Sequence, residues 1–154
     1  MDQDGKPDLA VAHSAYPVVS VIKNTSTNGA ISFDANVDYV ATSYQKLSIG
    51  DLDGDGNPDL AVARNNPSVS VFKNAGKAGV ISFNPKVDFG NYSSSDVSIG
   101  DMDGDGIPDL VVSTPSTISI LRGLGTALPL VLSQFQVSPP RQPYSVNMEH
   151  LYRN

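Results

Sequence analysis

The chain has 154 residues, 40% of them hydrophobic, enough to form a core of ordinary domain size. It contains no cysteine, which excludes disulfides and thiolate metal sites, and no apolar run of about 18 residues, so no helical membrane span is expected. The formal net charge is −6, but eleven of the sixteen acids sit in three short loops; the remaining five face ten Lys and Arg with no cluster that suggests nucleic-acid binding, so no nucleic-acid partner is expected.

In chain order, MDQDGKPD (residues 1–8) is the first aspartate loop, and LAVA (9–12) is predicted as a strand. Further strands are predicted at 18–23 and at 31–39. The series then restarts. Residues 47–49 form a short strand, DLDGDGNPD (51–59) a complete loop, and strands follow at 60–63, 68–73 and 81–89, the last interrupted near Pro85. A third series has a strand at 97–99, the loop DMDGDGIPD (101–109), and strands at 110–113 and 117–121. Residues 17–51 align with 67–101 at a constant offset of 50, without a gap. A period of that length marks a repeat architecture.

Alternation such as Val69 and Val71 against Ser68 and Ser70 has the period of a strand, and no window shows sustained helical spacing. In residues 60–63, Leu60 and Val62 face one way and Ala61 and Ala63 the other, and neither side is polar. Such a strand is expected to be covered on both faces, its small residues against a close neighbouring sheet. Four short strands per period, stacked as sheets, predict an all-β fold. We read it as an incomplete β-propeller with one complete four-stranded blade and parts of two others; an open sandwich or β-solenoid is the alternative.

The loops carry the chemistry. Numbered from Asp51, carboxylates fall at positions 1, 3, 5 and 9: Asp51, Asp53, Asp55 and Asp59, then Asp101, Asp103, Asp105 and Asp109. Like charges about 4 Å apart repel by about 1 kcal/mol per pair in water and more when partly buried, so a counterion is expected. Alternating carboxylates in a tight loop converge on a point that suits calcium, which accepts six to eight oxygens in flexible geometry. Gly56 permits a positive-φ turn. Asn57 is held extended by Pro58, which aims its carbonyl inward as a neutral ligand; Ile107 and Lys6 occupy the same position, as a backbone ligand allows. An EF-hand would need an acid at position 12 and a helix beyond; Val62 and Val112 stand there, inside predicted strands.

The pattern D-x-D-G-D-G-x-P-D-L, followed by a short apolar strand and recurring every 50 or so residues, resembles the FG-GAP/VCBS repeat family. These are the calcium-loop blades of integrin-α-like β-propellers, common in secreted and surface bacterial proteins. Phe89-Gly90 stands where the family has its Phe-Gly; the Gly-Ala-Pro half is not preserved, and Ser98-Ile99-Gly100 lies near its place. The resemblance covers about residues 1–123. It implies that the aspartates at positions 1, 3, 5 and 9 and the position 7 carbonyl hold the ion. In the first loop Asp2, Asp4, Lys6 and Asp8 match positions 3, 5, 7 and 9, but position 1 would precede Met1, so a weak or empty site is expected there.

Residues 124–137 break the repeat and resemble a lead-in strand to a following β-sandwich, and 138–154 are expected to be disordered. The opening inside a loop motif is read as truncation of a longer array, with self-association of copies as the alternative route to a closed ring. His13 and His150 have no partners at recognisable spacing, and aspartates committed to calcium are poor acid/base groups, so a non-enzymatic chain is expected. The expected role is a calcium-binding segment of a secreted or cell-surface protein, structural, adhesive or ligand-binding; its signal peptide would lie outside this chain. One alternative is a lectin-like module using Tyr44 and Tyr92; another is a non-catalytic propeller appended to a secreted hydrolase or lyase. Expected partners are calcium and a glycan or protein outside the cell.

Overall fold

Short β-branched runs punctuated by Asn, Asp, Gly and Pro give short antiparallel strands. The structure, a computed structural model, describes residues 1–41, 46–64, 69–90, 94–123, 125 and 134–137, the last four by backbone alone. Among these residues there is no helix. The strands are β1 (Leu9–Ala12), β2 (Val18–Ile22), β3 (Val37–Val40), β4 (Lys46–Gly50), β5 (Asp59–Ala63), β6 (Val69–Phe72), β7 (Val87–Phe89), β8 (Asp96–Gly100), β9 (Asp109–Ser113), β10 (Ile118–Leu121) and β11 (Gln134–Val137). They form three antiparallel sheets, ordered β1-β2-β3, β4-β5-β6-β7 and β8-β9-β10-β11.

The strand count corrects the sequence reading, which allowed one complete four-stranded unit. Two sheets here have four strands. The second is completed by β11, within the segment expected to lead in to a following region, which pairs antiparallel with β10. Its sequence lacks the ISF…VDF signature of the earlier repeats, yet its register is theirs: Ser119 lies opposite Gln136 as Ser20 lies opposite Asp38 and Ser70 opposite Asp88. The predicted strands at 31–39 and 81–89 are also corrected. Only Val37–Val40 and Val87–Phe89 join the sheets. The preceding residues return from a small hairpin, bridged at Asn24–Phe33 and Thr27–Ala30 and again at Asn74–Phe83 and Lys77–Val80. Gly29 and Gly79, both at φ +84°, allow its tight tip.

The core lies in two slabs between the sheets. Leu60 and Val62 of β5 pack with Val19, Val21, Phe72 and Phe83 against the first sheet. Ala61 and Ala63 pack with Val97, Leu110 and Val112 against the third. Strand β5 is therefore buried on both faces, as its sequence predicts. The small side chains let the neighbouring sheets approach closely: a Cβ on Gly50 of β4 would stand 2.8 Å from Ile99 Cγ2 of β8. Between the first two sheets Tyr39 meets Phe83 edge-to-face at 5.1 Å and Phe72 at 6.3 Å.

Candidate metal centre

Residues 51–59 link β4 to β5, and residues 101–109 link β8 to β9. Each loop is built by its own aspartates. Asp51 Oδ1 accepts the Gly54 N–H at 2.8 Å, and Oδ2 accepts that of Gly56 at 2.8 Å. Asp101 does the same for Gly104 and Gly106, at 2.7 and 2.9 Å. The position 5 carboxylates accept the position 7 N–H: Asp4 from Lys6, Asp55 from Asn57, Asp105 from Ile107. The position 9 carboxylate ties the loop to the sheet. Asp59 accepts from Leu52 at 3.0 Å and Asn74 at 2.7 Å, and Asp109 accepts from Met102 and Gly123, both at 2.8 Å. In the first loop Asp8 accepts from Asp2 at 3.2 Å and Asn24 at 2.9 Å.

This folding brings three carboxylates together twice. Asp51, Asp53 and Asp59 present oxygens within 4.8 Å of one another, and so do Asp101, Asp103 and Asp109. Asp59 and Asp109 are buried. Burial, reinforced by Asp53 and Asp55, pushes the Asp59 carboxyl up to about 6 against the pull of its backbone donors. The donors are all oxygens, carboxylates foremost, with no thiolate available, so the set fits a hard cation. Asp55 and Asp105 lie outside the converging triplets, and Asp2, Asp4 and Asp8 form no such triplet.

The structure also shows a counterion the sequence reading missed. Lys73 pairs with Asp53 and reaches Asp55 at 3.4 Å. Arg122 contacts Asp103 at 2.5 Å and Asp105 at 2.6 Å. Lys23 contacts Asp2 at 2.6 Å. These cations hold Asp103 and Asp2 below the ordinary carboxylate range; for Asp55, burial opposes Lys73 and the Asn57 N–H, which prevail. All three basic residues immediately follow equivalent strands, β2, β6 and β10, which is the signal that finds them.

His13 has partners that its sequence spacing did not show. Its Nε2 lies 2.8 Å from Ser20 Oγ, which donates to Asp38 at 2.6 Å. It is a strand-end residue in a polar network, and Arg64 occupies the equivalent place in the next repeat. Tyr44, Tyr92 and His150 lie outside the described residues.

Gly54, Gly56, Gly104 and Gly106 all have φ between 76° and 85°, and Gln3 adopts φ 62° at the place of Gly54. No atom would obstruct a Cβ at Gly56, so Gly56→Ala carries only the left-handed strain. It is expected to destabilise by about 1–2 kcal/mol. Gln3→Gly is expected to be neutral or to stabilise by under about 1 kcal/mol. Chemical denaturation of the two variants reads both values.

No curated protein and no solved structure matches the chain. The family model of the FG-GAP-like repeat matches twice, over residues 1–62 and 51–112, and each match joins one acidic loop to the next. The chain belongs to the FG-GAP-like repeat family.

Proposed function

We propose that the chain is a calcium-binding segment of a β-propeller, each sheet a blade, that serves a structural, adhesive or ligand-binding role outside the cell. The observation that carries this reading is the pair of carboxylate triplets, repeated at the same place in two sheets, each with a buried member. Asp51, Asp53, Asp55 and Asp59 would hold one ion, and Asp101, Asp103, Asp105 and Asp109 another, with the carbonyls of Asn57 and Ile107 as neutral ligands. Asp2, Asp4, Asp8 and the Lys6 carbonyl, whose carboxylates form no converging triplet, would leave a weak or empty third site.

Calcium would supply positive charge that neutralises these groups. The chain's own part is to hold the carboxylates close. Backbone N–H groups fix Asp51 and Asp59 before any ion arrives, so little ordering remains to be done on binding. The long reach from Asp59 to Asn74 ties the loop to the end of β6, so charge neutralised in the loop stiffens the sheet. Family membership supports an extracellular, non-catalytic role, and millimolar calcium outside cells suits affinities of about 10⁻⁴–10⁻³ M. No helix among the described residues is long and apolar enough to cross a membrane.

Calorimetric titration with calcium, with magnesium as control, tests this. One ion per complete loop and a raised melting temperature are expected, with little response to magnesium. A folded chain that ignores calcium would leave the aspartates as turn formers. Asp53→Ala is expected to abolish binding at its own loop and spare the other, and Asp103→Ala the reverse. Loss of both sites in either variant would mean that the two loops are coupled.

A further inference from the structure

The three basic residues recur at one structural position. Lys23 follows β2, Lys73 follows β6 and Arg122 follows β10, and each pairs with the position 3 carboxylate of its own repeat's loop. In both complete loops the cation also reaches position 5. We propose that Lys73 and Arg122 are built-in counterions that compete with calcium for the position 3 and 5 carboxylates, hold the loop together without metal, and set its calcium affinity low. The inference rests on the calcium reading above and names what regulates that site.

The argument is one of shared oxygens. Asp53 and Asp103 each belong to a converging triplet, and each is also the partner of the tethered cation. An ion held at the triplet must meet a positive charge already in contact with one of its ligands. Like charges at such range repel strongly at the dielectric of a protein surface. The side chains have somewhere to go. Lys73 is 31% and Arg122 43% exposed, and both are long enough to withdraw into solvent. Asp55 and Asp105, which these cations also contact, stand outside the triplets. Arg122 grips with two N–H groups on two carboxylates, whereas Lys73 is a point charge nearer one of them.

The test compares the full chain with Lys73→Met, Arg122→Met and the charge-preserving Lys73→Arg. Calcium affinity is read by calorimetry, and melting temperature with chelator and with saturating calcium. Each Met variant is expected to bind calcium about tenfold tighter at its own loop. Lys73→Arg is expected to return affinity towards the parent value. With chelator the Met variants are expected to melt lower than the parent, because the position 3 and 5 carboxylates have lost their counterion; in calcium the deficit closes or reverses. Calcium bound equally well by parent and both Met variants overturns the inference and leaves the calcium reading standing. A deficit of the same size with and without calcium also overturns it, since that describes an ordinary structural ion pair. Calcium ignored by every protein in the set overturns the calcium reading, and the inference falls with it. Should Lys73→Met fail to fold in chelator, Arg122→Met decides, since both of its partners are at the surface.

Discussion

Replacing Leu60 by alanine is expected to destabilise the fold by about 3 kcal/mol, and the same replacement at Leu9 by less than about 1 kcal/mol. The two leucines occupy the same place in an identical pentapeptide, DLAVA, at residues 8–12 and 59–63. Leu60 is fully buried between the first and second sheets, whereas Leu9 is 43% exposed on β1, an edge strand. Removing Leu60 leaves a cavity walled by Val19, Phe72 and Phe83, side chains held from two sheets that cannot both relax into it. Removing Leu9 returns surface to water that already reaches half of it. Urea denaturation of the two variants under one condition measures the difference. Equal losses would mean that the stacked arrangement of the first two sheets does not persist in solution.

Asp88→Asn is expected to cost about 1–2 kcal/mol at pH 7, between a surface and a buried ion pair, and progressively less as the solution is acidified. Arg64 is buried, with Nη2 3.0 Å from Asp88 Oδ1, and Ser70 Oγ and the Lys86 ammonium donate to the same carboxylate. Removing the charge leaves the buried Arg64 guanidinium with its compensation reduced, a loss that solvent at the exposed Asp88 partly screens. Burial works to raise the Asp88 carboxyl; Lys86, Ser70 and Arg64 together outweigh it and hold the group below the ordinary carboxylate range. A carboxyl depressed by folding stabilises fully above its unfolded value, about 4, and loses that contribution as pH falls through the folded value. Parent and variant should therefore differ most at neutral pH and converge below pH 4. A gap that stays constant with pH would assign the loss to packing rather than charge.

The loops and most strands were legible in the sequence because their determinants are local. Gly56 and Gly106 mark left-handed turns, the Asp-x-Asp spacing marks carboxylates that cap one another's backbone, and Val-Ser alternation in residues 69–71 has strand period. Three other features were not legible. Lys73 lies twenty residues from Asp53, and Arg122 nineteen from Asp103, so their ion pairs depend on the hairpin that lays β6 beside β5 and β10 beside β9. His13 meets Ser20 and Asp38 for the same reason, through the registers of β1 with β2 and β2 with β3. The hairpins of residues 24–33 and 74–83 read as strand beginnings because Ile31 and Ile81 are β-branched and apolar. Their backbones, though, pair within the hairpin, and Ile31 is left exposed.

The twin pentapeptides divide the two kinds of information. Sequence alone determines that DLAVA extends, that its aspartate closes a turn, and that leucine and valine share a face, since backbone sterics and alternation are properties of the segment itself. Whether that face is buried is decided elsewhere. Val62 is sealed by residues of β2 and β6, while Val11, with the same neighbours in sequence, stays 38% exposed. Burial belongs to the stacking of sheets, and stacking is set by residues that the pentapeptide does not contain.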